Sequence, residues 1–226
     1  MNLSEKINII RASVMGANDG IISVAGIVLG VFAATEGRTN GNWAIFIAGF
    51  AGTLAGMISM AAGEYVSVHG QRDAENAAIQ LESEANRNNM KQQIATVQAS
   101  LVSDDISLAL AKKAASEMMM SRPIDTAVRV KHGFNIQNKI NPYHAAIASF
   151  VTFPLGALLP MSAILASPKN LKIISTYAAV MIALILTGYF AAKIGNADTR
   201  NGIVRNVIAG LFTMTATFFI GRLFNR

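Results

Sequence analysis

The sequence predicts an all-α integral membrane protein: five transmembrane helices, with a small helical cytoplasmic insert between the second and third. Three observations carry that prediction. Of 226 residues, 52% are hydrophobic and only 14% are charged, whereas a soluble domain is about a quarter charged. The apolar residues gather in five long runs, each near or above the roughly 20 residues a helix needs to cross a bilayer core. The stretch between the second and third runs is polar and holds most of the acids.

The first run covers 14–34 and opens on Gly16-Ala17-Asn18-Asp19-Gly20, followed by an uncharged stretch at 21–35. It is too long for a signal-peptide core and has Asp19 within it, so it is read as a retained span. The second run covers 43–68. The third, 144–166, contains Pro154 and Pro160, which should kink or locally open a helix. The fourth and fifth cover 173–195 and 203–221. All five are continuous rather than alternating, which argues for helices over barrel strands.

The chain therefore divides into 1–68 with the first two spans, 69–143 as the insert, and 144–226 with the last three spans. Within the insert, the segment 71–101 has good helix formers and no Pro or Gly, so one long helix should leave the second span. Ser103 or Asp104 is the expected cap of a second helix, and Pro123 suits the first turn of a third. With the N-terminus inside, fourteen Lys and Arg fall on the inner side and five on the outer. An excess of positive charge marks the cytoplasmic side. This places the N-terminus and the insert in the cytoplasm, in a multi-pass protein of the cell membrane.

Composition also excludes chemistry. There are no cysteines, so disulfides, iron–sulfur clusters and thiolate metal sites are out. The net charge of +6 lies between apolar runs rather than along one face, and aromatics are few, which argues against nucleic acid. No span carries a His-x-x-x-His or Gly-x-Ser-x-Gly arrangement. The three histidines, His69, His132 and His144, lie at or beyond span edges, so no enzyme is expected.

Only two acids lie within the spans, Asp19 and Glu64. A carboxylate at the bilayer centre costs about 2.5–3.5 kcal/mol on insertion scales, and such residues usually face a cavity, a partner or an ion path. Met15 and Ser23 stand four residues either side of Asp19, on one helix face. Met57, Met60 and Glu64 share a stripe of the second span. Each helix thus presents a thioether beside a carboxylate, a donor mix that favours Fe²⁺ or Mn²⁺ over Ca²⁺. The competing reading makes Met57 and Met15 packing residues and lets Glu64 reach water at the inner interface. Three small-xxx-small pairs, Gly16/Gly20, Gly26/Gly30 and Gly52/Gly56, permit close helix approach, either within one chain or across a dimer.

Three segments, RASVMGANDGIISVAGIVLGV, AGFAGTLAGMISMAAGEYVSVHGQRDAE and NPYHAAIASFVTFPLGALLPM, resemble the vacuolar iron transporter (VIT) family. The resemblance is closest to the branch with bacterial and nodulin-like plant members, and it covers nearly the whole chain. It implies a dimeric five-helix transporter that moves Fe²⁺, and often Mn²⁺, out of the cytosol in exchange for protons. Asp19 takes the place of the family's first-helix pore aspartate and Met60 that of its pore methionine, while Glu64 belongs to the GEYVS form of this branch. Glu82 matches one carboxylate of the metal-binding bundle found in the plant vacuolar type. Gly52 stands where that type has a second-helix glutamate, and Ala85, Gln93 and Thr96 stand where other bundle acids would fall. Lys131 lies near another acidic position, and Glu117 with Met118, Met119 and Met120 does not align. The insert is therefore not expected to store metal as that type's does, and His132 is read as an ordinary surface histidine.

Asp19, Met60, Glu64, Met15 and Glu82 are the metal-site candidates. The partners are a divalent transition-metal ion, protons, lipid and a second copy. No resident cofactor is implied, because the metal is cargo. The rival expectation is a membrane scaffold that transports nothing and docks a partner on its insert.

Overall fold

The computed structural model describes residues 3–37, 39–137 and 140–225. Among the described residues eight α-helices follow in order: α1 (Leu3–Ala34), α2 (Gly41–Asn88), α3 (Met90–Ser103), α4 (Leu108–Ser121), α5 (Pro123–His132), α6 (Pro142–Ala166), α7 (Lys172–Ile194) and α8 (Thr199–Leu223). A 3₁₀ turn, Lys169–Leu171, precedes α7. Five of the helices, α1, α2, α6, α7 and α8, are long and apolar enough to cross a membrane. The chain forms two compact units, one of Ile7–Tyr65 with Pro142–Arg226, the other of the residues up to Lys6 with Val66–Asn141.

In the larger unit α1 is the central helix. Half of its apolar window is buried, against 11% for α2 and for α8. Val24, Ala25, Val28 and Leu29 of α1 are fully buried with Ile164, Val180, Leu184 and Met214 from α6, α7 and α8. Large apolar side chains point outward instead on α2, α6, α7 and α8, among them Phe50, Ile58, Leu155, Ile182 and Phe212. Five apolar helices with so much outward-facing hydrocarbon need lipid or another protein around them.

The glycine pairs turn out to serve this unit's own packing. Gly16 and Gly20 lie against Ser149, Thr152 and Phe153 of α6, and Gly26 and Gly30 against Thr213 and Thr217 of α8. Gly52 meets Ile27, and Gly56 meets the Phe153 ring. A Cβ on Gly20 would collide with the Phe153 carbonyl, so at this point α1 and α6 touch backbone to backbone. Of the two readings of these pairs, the intramolecular one describes their neighbours. Helix α6 continues without interruption through Pro154 and Pro160, so neither proline ends it.

Buried and half-buried polar contacts tie the helix ends and middles. Lys172, 4% exposed, donates from Nζ to Asn42 Oδ1 (2.7 Å) and to the Ile164 carbonyl (2.8 Å). The second bond satisfies a carbonyl of the last turn of α6, which has no partner within its own helix. Thr187 of α7 donates to Asn18 Oδ1 of α1 (3.2 Å), and Asn206 of α8 donates to Thr187 (3.4 Å).

In the smaller unit the single helix expected over 71–101 is broken. Helix α2 runs 48 residues and stops at Asn88; Asn89 leaves helical geometry at φ −153°, ψ 74°. Its Oδ1 accepts from the Gln92 N–H (3.1 Å), the N-cap bond that asparagine supplies well. A second correction concerns the next cap. Ser103 is the last residue of α3 and Asp104 follows it as C-cap, while Ser107 precedes α4. Asp105 adopts a left-handed φ of 62° in the turn between them. Pro123 occupies the first turn of α5 as expected, and Gly133 ends that helix at φ 73°. Val97, Ala115 and Met119 are fully buried at the centre of this unit, with Met90, Ile94, Leu101 and Val130 packed around them.

Candidate functional site

The candidate residues on α1 form a continuous stripe. Arg11, Met15, Asp19 and Ser23 are spaced four apart, and hydrogen bonds link them in pairs. Arg11 Nη1 donates to Met15 Sδ (3.4 Å), and Ser23 donates its hydroxyl to Asp19 Oδ1 (2.5 Å). Arg11, Met15 and Asp19 are exposed on the protomer, Met15 to 46%. A carboxylate thus stands open to the surroundings in the middle of the most deeply packed helix of the bundle.

Glu64 has the opposite setting. It is 8% exposed, and its Oε2 accepts from Arg11 Nη2 at 2.9 Å. The same nitrogen donates to Asn8 Oδ1 (3.0 Å). Sequence reasoning counted Arg11 only as an inner-side charge and did not see this pairing. The signal was available in the register of the α1–α2 hairpin. Ile27 and Val28 face Gly52 and Gly49, so the helices run antiparallel from a short turn. Counted back from Ala34 and forward from Gly41, Arg11 and Glu64 fall at equal distances, and so do Met15 and Met60.

That register orders the site along the helix axis. Asp19 lies two turns, about 12 Å, from Arg11. Each acid therefore has its own hydrogen-bond partner, with the level of Met15 and Met60 between them. Met57 and Met60 are partly buried and pack against the apolar core. Among the described residues, no three His, Asp or Glu side chains converge as a metal cluster.

Glu82 belongs to a separate, closed constellation in the smaller unit. It is 2% exposed. Lys131 Nζ donates to Glu82 Oε2 (2.7 Å) and to Gln93 Oε1 (2.5 Å), while His132 Nε2 pairs with Glu82 Oε1 (3.0 Å). Burial pushes this carboxyl's pKa up, but the bonds from Lys131 and His132 outweigh it and hold the value below the ordinary carboxylate one. His132 is thus tied into the cluster rather than being an ordinary surface histidine. Both oxygens of Glu82 are engaged by basic side chains.

The family model for the VIT family matches residues 10–222. The vacuolar iron transporter homolog 5 of Oryza sativa subsp. japonica is 33% identical over 226 residues, covering 99% of this chain and 84% of that protein. The vacuolar iron transporter homolog 4 of Arabidopsis thaliana is 29% identical over 222 residues, covering 97% of this chain and 86% of that protein. A vacuolar iron transporter of Acanthamoeba castellanii is 27% identical over 215 residues, covering 95% and 78%. With a match running from before Arg11 to the end of α8, the chain belongs to the VIT family.

Proposed function

We propose that this chain is a membrane transporter that moves a divalent transition-metal ion, Fe²⁺ or Mn²⁺, out of the cytosol in exchange for protons. One observation carries the reading: Asp19 is exposed mid-helix on a stripe that also holds the Met15 thioether. Turned to lipid, that carboxylate would cost about 2.5–3.5 kcal/mol. Turned to a second copy, it lines a shared path, which supports a homodimer. The exposed small residues Ala51, Ala55, Ser59 and Gly63 on α2 allow such close approach.

Carboxylate and thioether together favour a borderline divalent ion over Ca²⁺. Two carboxylates that release such an ion can take up two protons with no change in net charge, which is the chemical basis for antiport. The relatives' names supply iron as the first cargo to test. The distribution of Lys and Arg favours a cytoplasmic N-terminus and insert in a cell-membrane protein. Asp19, Glu64, Met60 and Met15 are assigned to the ion path. Glu82, filled by Lys131 and His132, is assigned a fastening role in the insert.

Flux into proteoliposomes tests this directly, comparing Fe²⁺, Mn²⁺, Co²⁺, Zn²⁺ and Ca²⁺ with and without a pH gradient. Fe²⁺ and Mn²⁺ should exceed Ca²⁺ and respond to the gradient. Asp19→Asn should reduce flux to background while the purified chain keeps its oligomeric state. Full flux in that variant removes Asp19 from the path. No flux of any of the five ions in the native chain leaves the non-transporting scaffold instead.

A further inference from the structure

We infer that Arg11 is a tethered cation that occupies the Glu64 end of the ion path and must leave before an ion can bind there. The inference rests on the transport reading above and adds a residue and a role to it. Its basis is what the guanidinium touches: a carboxylate oxygen of Glu64, the thioether sulfur of Met15 and the amide oxygen of Asn8. Oxygen, sulfur and oxygen are the donors a borderline divalent ion would take, gathered here around a positive charge that belongs to the protein.

The two partners differ in burial in the way a displaceable cation requires. Glu64 is fixed and 8% exposed, while Arg11 is 48% exposed at the end of a long, flexible stem. The guanidinium can therefore swing to water or headgroups at little cost while the carboxylate stays in place. Removing Arg11 without replacing it would leave Glu64 buried and uncompensated, which is strongly unfavourable. The side chain consequently spends most of its time on Glu64 and gives it up chiefly when another cation arrives. A divalent ion is a better competitor than a monovalent one, because its attraction to the same oxygen is doubled. With Asp19 and Glu64 ionised, the pair carries two negative charges; Arg11 balances one, and a bound divalent ion balances both. Arg11 in this position lowers apparent affinity, blocks monovalent leak and restores charge to Glu64 after the ion moves toward Asp19.

The alternative is that Arg11 simply fastens α1 to α2, and the two roles separate in binding. Full-length protein in detergent is titrated with Mn²⁺, with free ion read by electron paramagnetic resonance, for the native chain, Arg11→Gln and Arg11→Lys. If the guanidinium fills the site nine-tenths of the time, its removal tightens apparent Mn²⁺ binding about tenfold. Arg11→Lys keeps a charge but loses the planar fork that reaches several acceptors, so it should fall between the other two. In proteoliposomes, Arg11→Gln should lower KM for Mn²⁺ and let a K⁺ leak appear. A fastening role predicts neither result, only a less stable protein. Should Arg11→Gln fail to fold, Arg11→Lys alone decides, since it must still bind more tightly than the native chain. Native protein that binds and carries Mn²⁺, with folded variants that bind it no more tightly, overturns the Arg11 role alone. Native protein that neither binds nor carries Mn²⁺ or Fe²⁺ overturns the transport reading and this inference with it.

Discussion

Glu64 and Glu82, two of the carboxylates that lie almost wholly out of solvent among the described residues, are neutralised in different ways. Glu64, 8% exposed, has one charged partner, Arg11, which is itself half in solvent. Glu82, 2% exposed, is held on one oxygen by Lys131 and on the other by His132, with Gln93 sharing the same ammonium. The guanidinium that holds Glu64 also reaches a polarizable sulfur, Met15. Around Glu82 stand only nitrogen and amide oxygen, and its two basic partners are 23% and 33% exposed. A carboxylate with one loosely held cation can exchange it. A carboxylate with both oxygens engaged is part of the scaffold, and its unit is fastened by an internal cation.

The largest expected difference is in stability. Lys131→Met leaves the buried Glu82 carboxylate with His132 as its remaining basic partner, and breaking such a pair costs about 3 kcal/mol. Hydrogen exchange across α3, α4 and α5 should accelerate accordingly, and adding Glu82→Leu should recover most of the loss. Arg11→Gln takes away a cation already half in solvent and leaves an amide that can still donate to Glu64, so its cost should be smaller than that of Lys131→Met. Equal losses for the two substitutions would break the comparison.

A smaller effect concerns acid. The Glu82 pKa is lower in the folded insert than in the unfolded chain. Its contribution is therefore complete above the unfolded value, near 4.3, and is lost as pH falls through the lower folded value. Below about pH 4 the insert should loosen first, read as faster exchange in α5 and at Gln93. Glu82→Gln should flatten this acid limb and lower stability near neutral pH. An acid limb that survives the substitution unchanged would assign it to other groups.

The spans are legible because five runs of hydrocarbon leave few other structures open to the backbone, and the helices observed contain each of them nearly end to end. The stripe of Met15, Asp19 and Ser23 is legible for the same local reason, a four-residue spacing on one helix. What the sequence hides is pairing between elements. Arg11 reads as one of many inner-side charges until the α1–α2 hairpin sets its register against Glu64. The glycine pairs announce close approach but not the neighbour, and only the folded bundle shows Gly20 against α6 and Gly30 against α8. The break at Asn89 is hidden by a different cause. The helix formers on both sides outweigh the three asparagines at 86, 88 and 89 in any local sum, and it is the cap bond to Gln92 that marks the site. His132 looks like a surface residue because nothing local reveals that α5 turns it toward Glu82.

The smallest effect sharpens the contrast at Glu64 itself. Its neighbour Gly63 lies on the outward face of α2, and a Cβ there would meet nothing within 4 Å. In a lone protomer Gly63→Ala should therefore be harmless, and the gain in helix propensity is worth up to about 1 kcal/mol. Melting of the detergent-solubilised protein should rise slightly or stay level. If a second copy packs closely on this face, the added methyl instead weakens association, and dissociation on dilution shifts to higher protein concentration. A fall in melting temperature with unchanged association would mean that α2 is already covered here by its own chain, and the face beside Glu64 would be as closed as the one around Glu82.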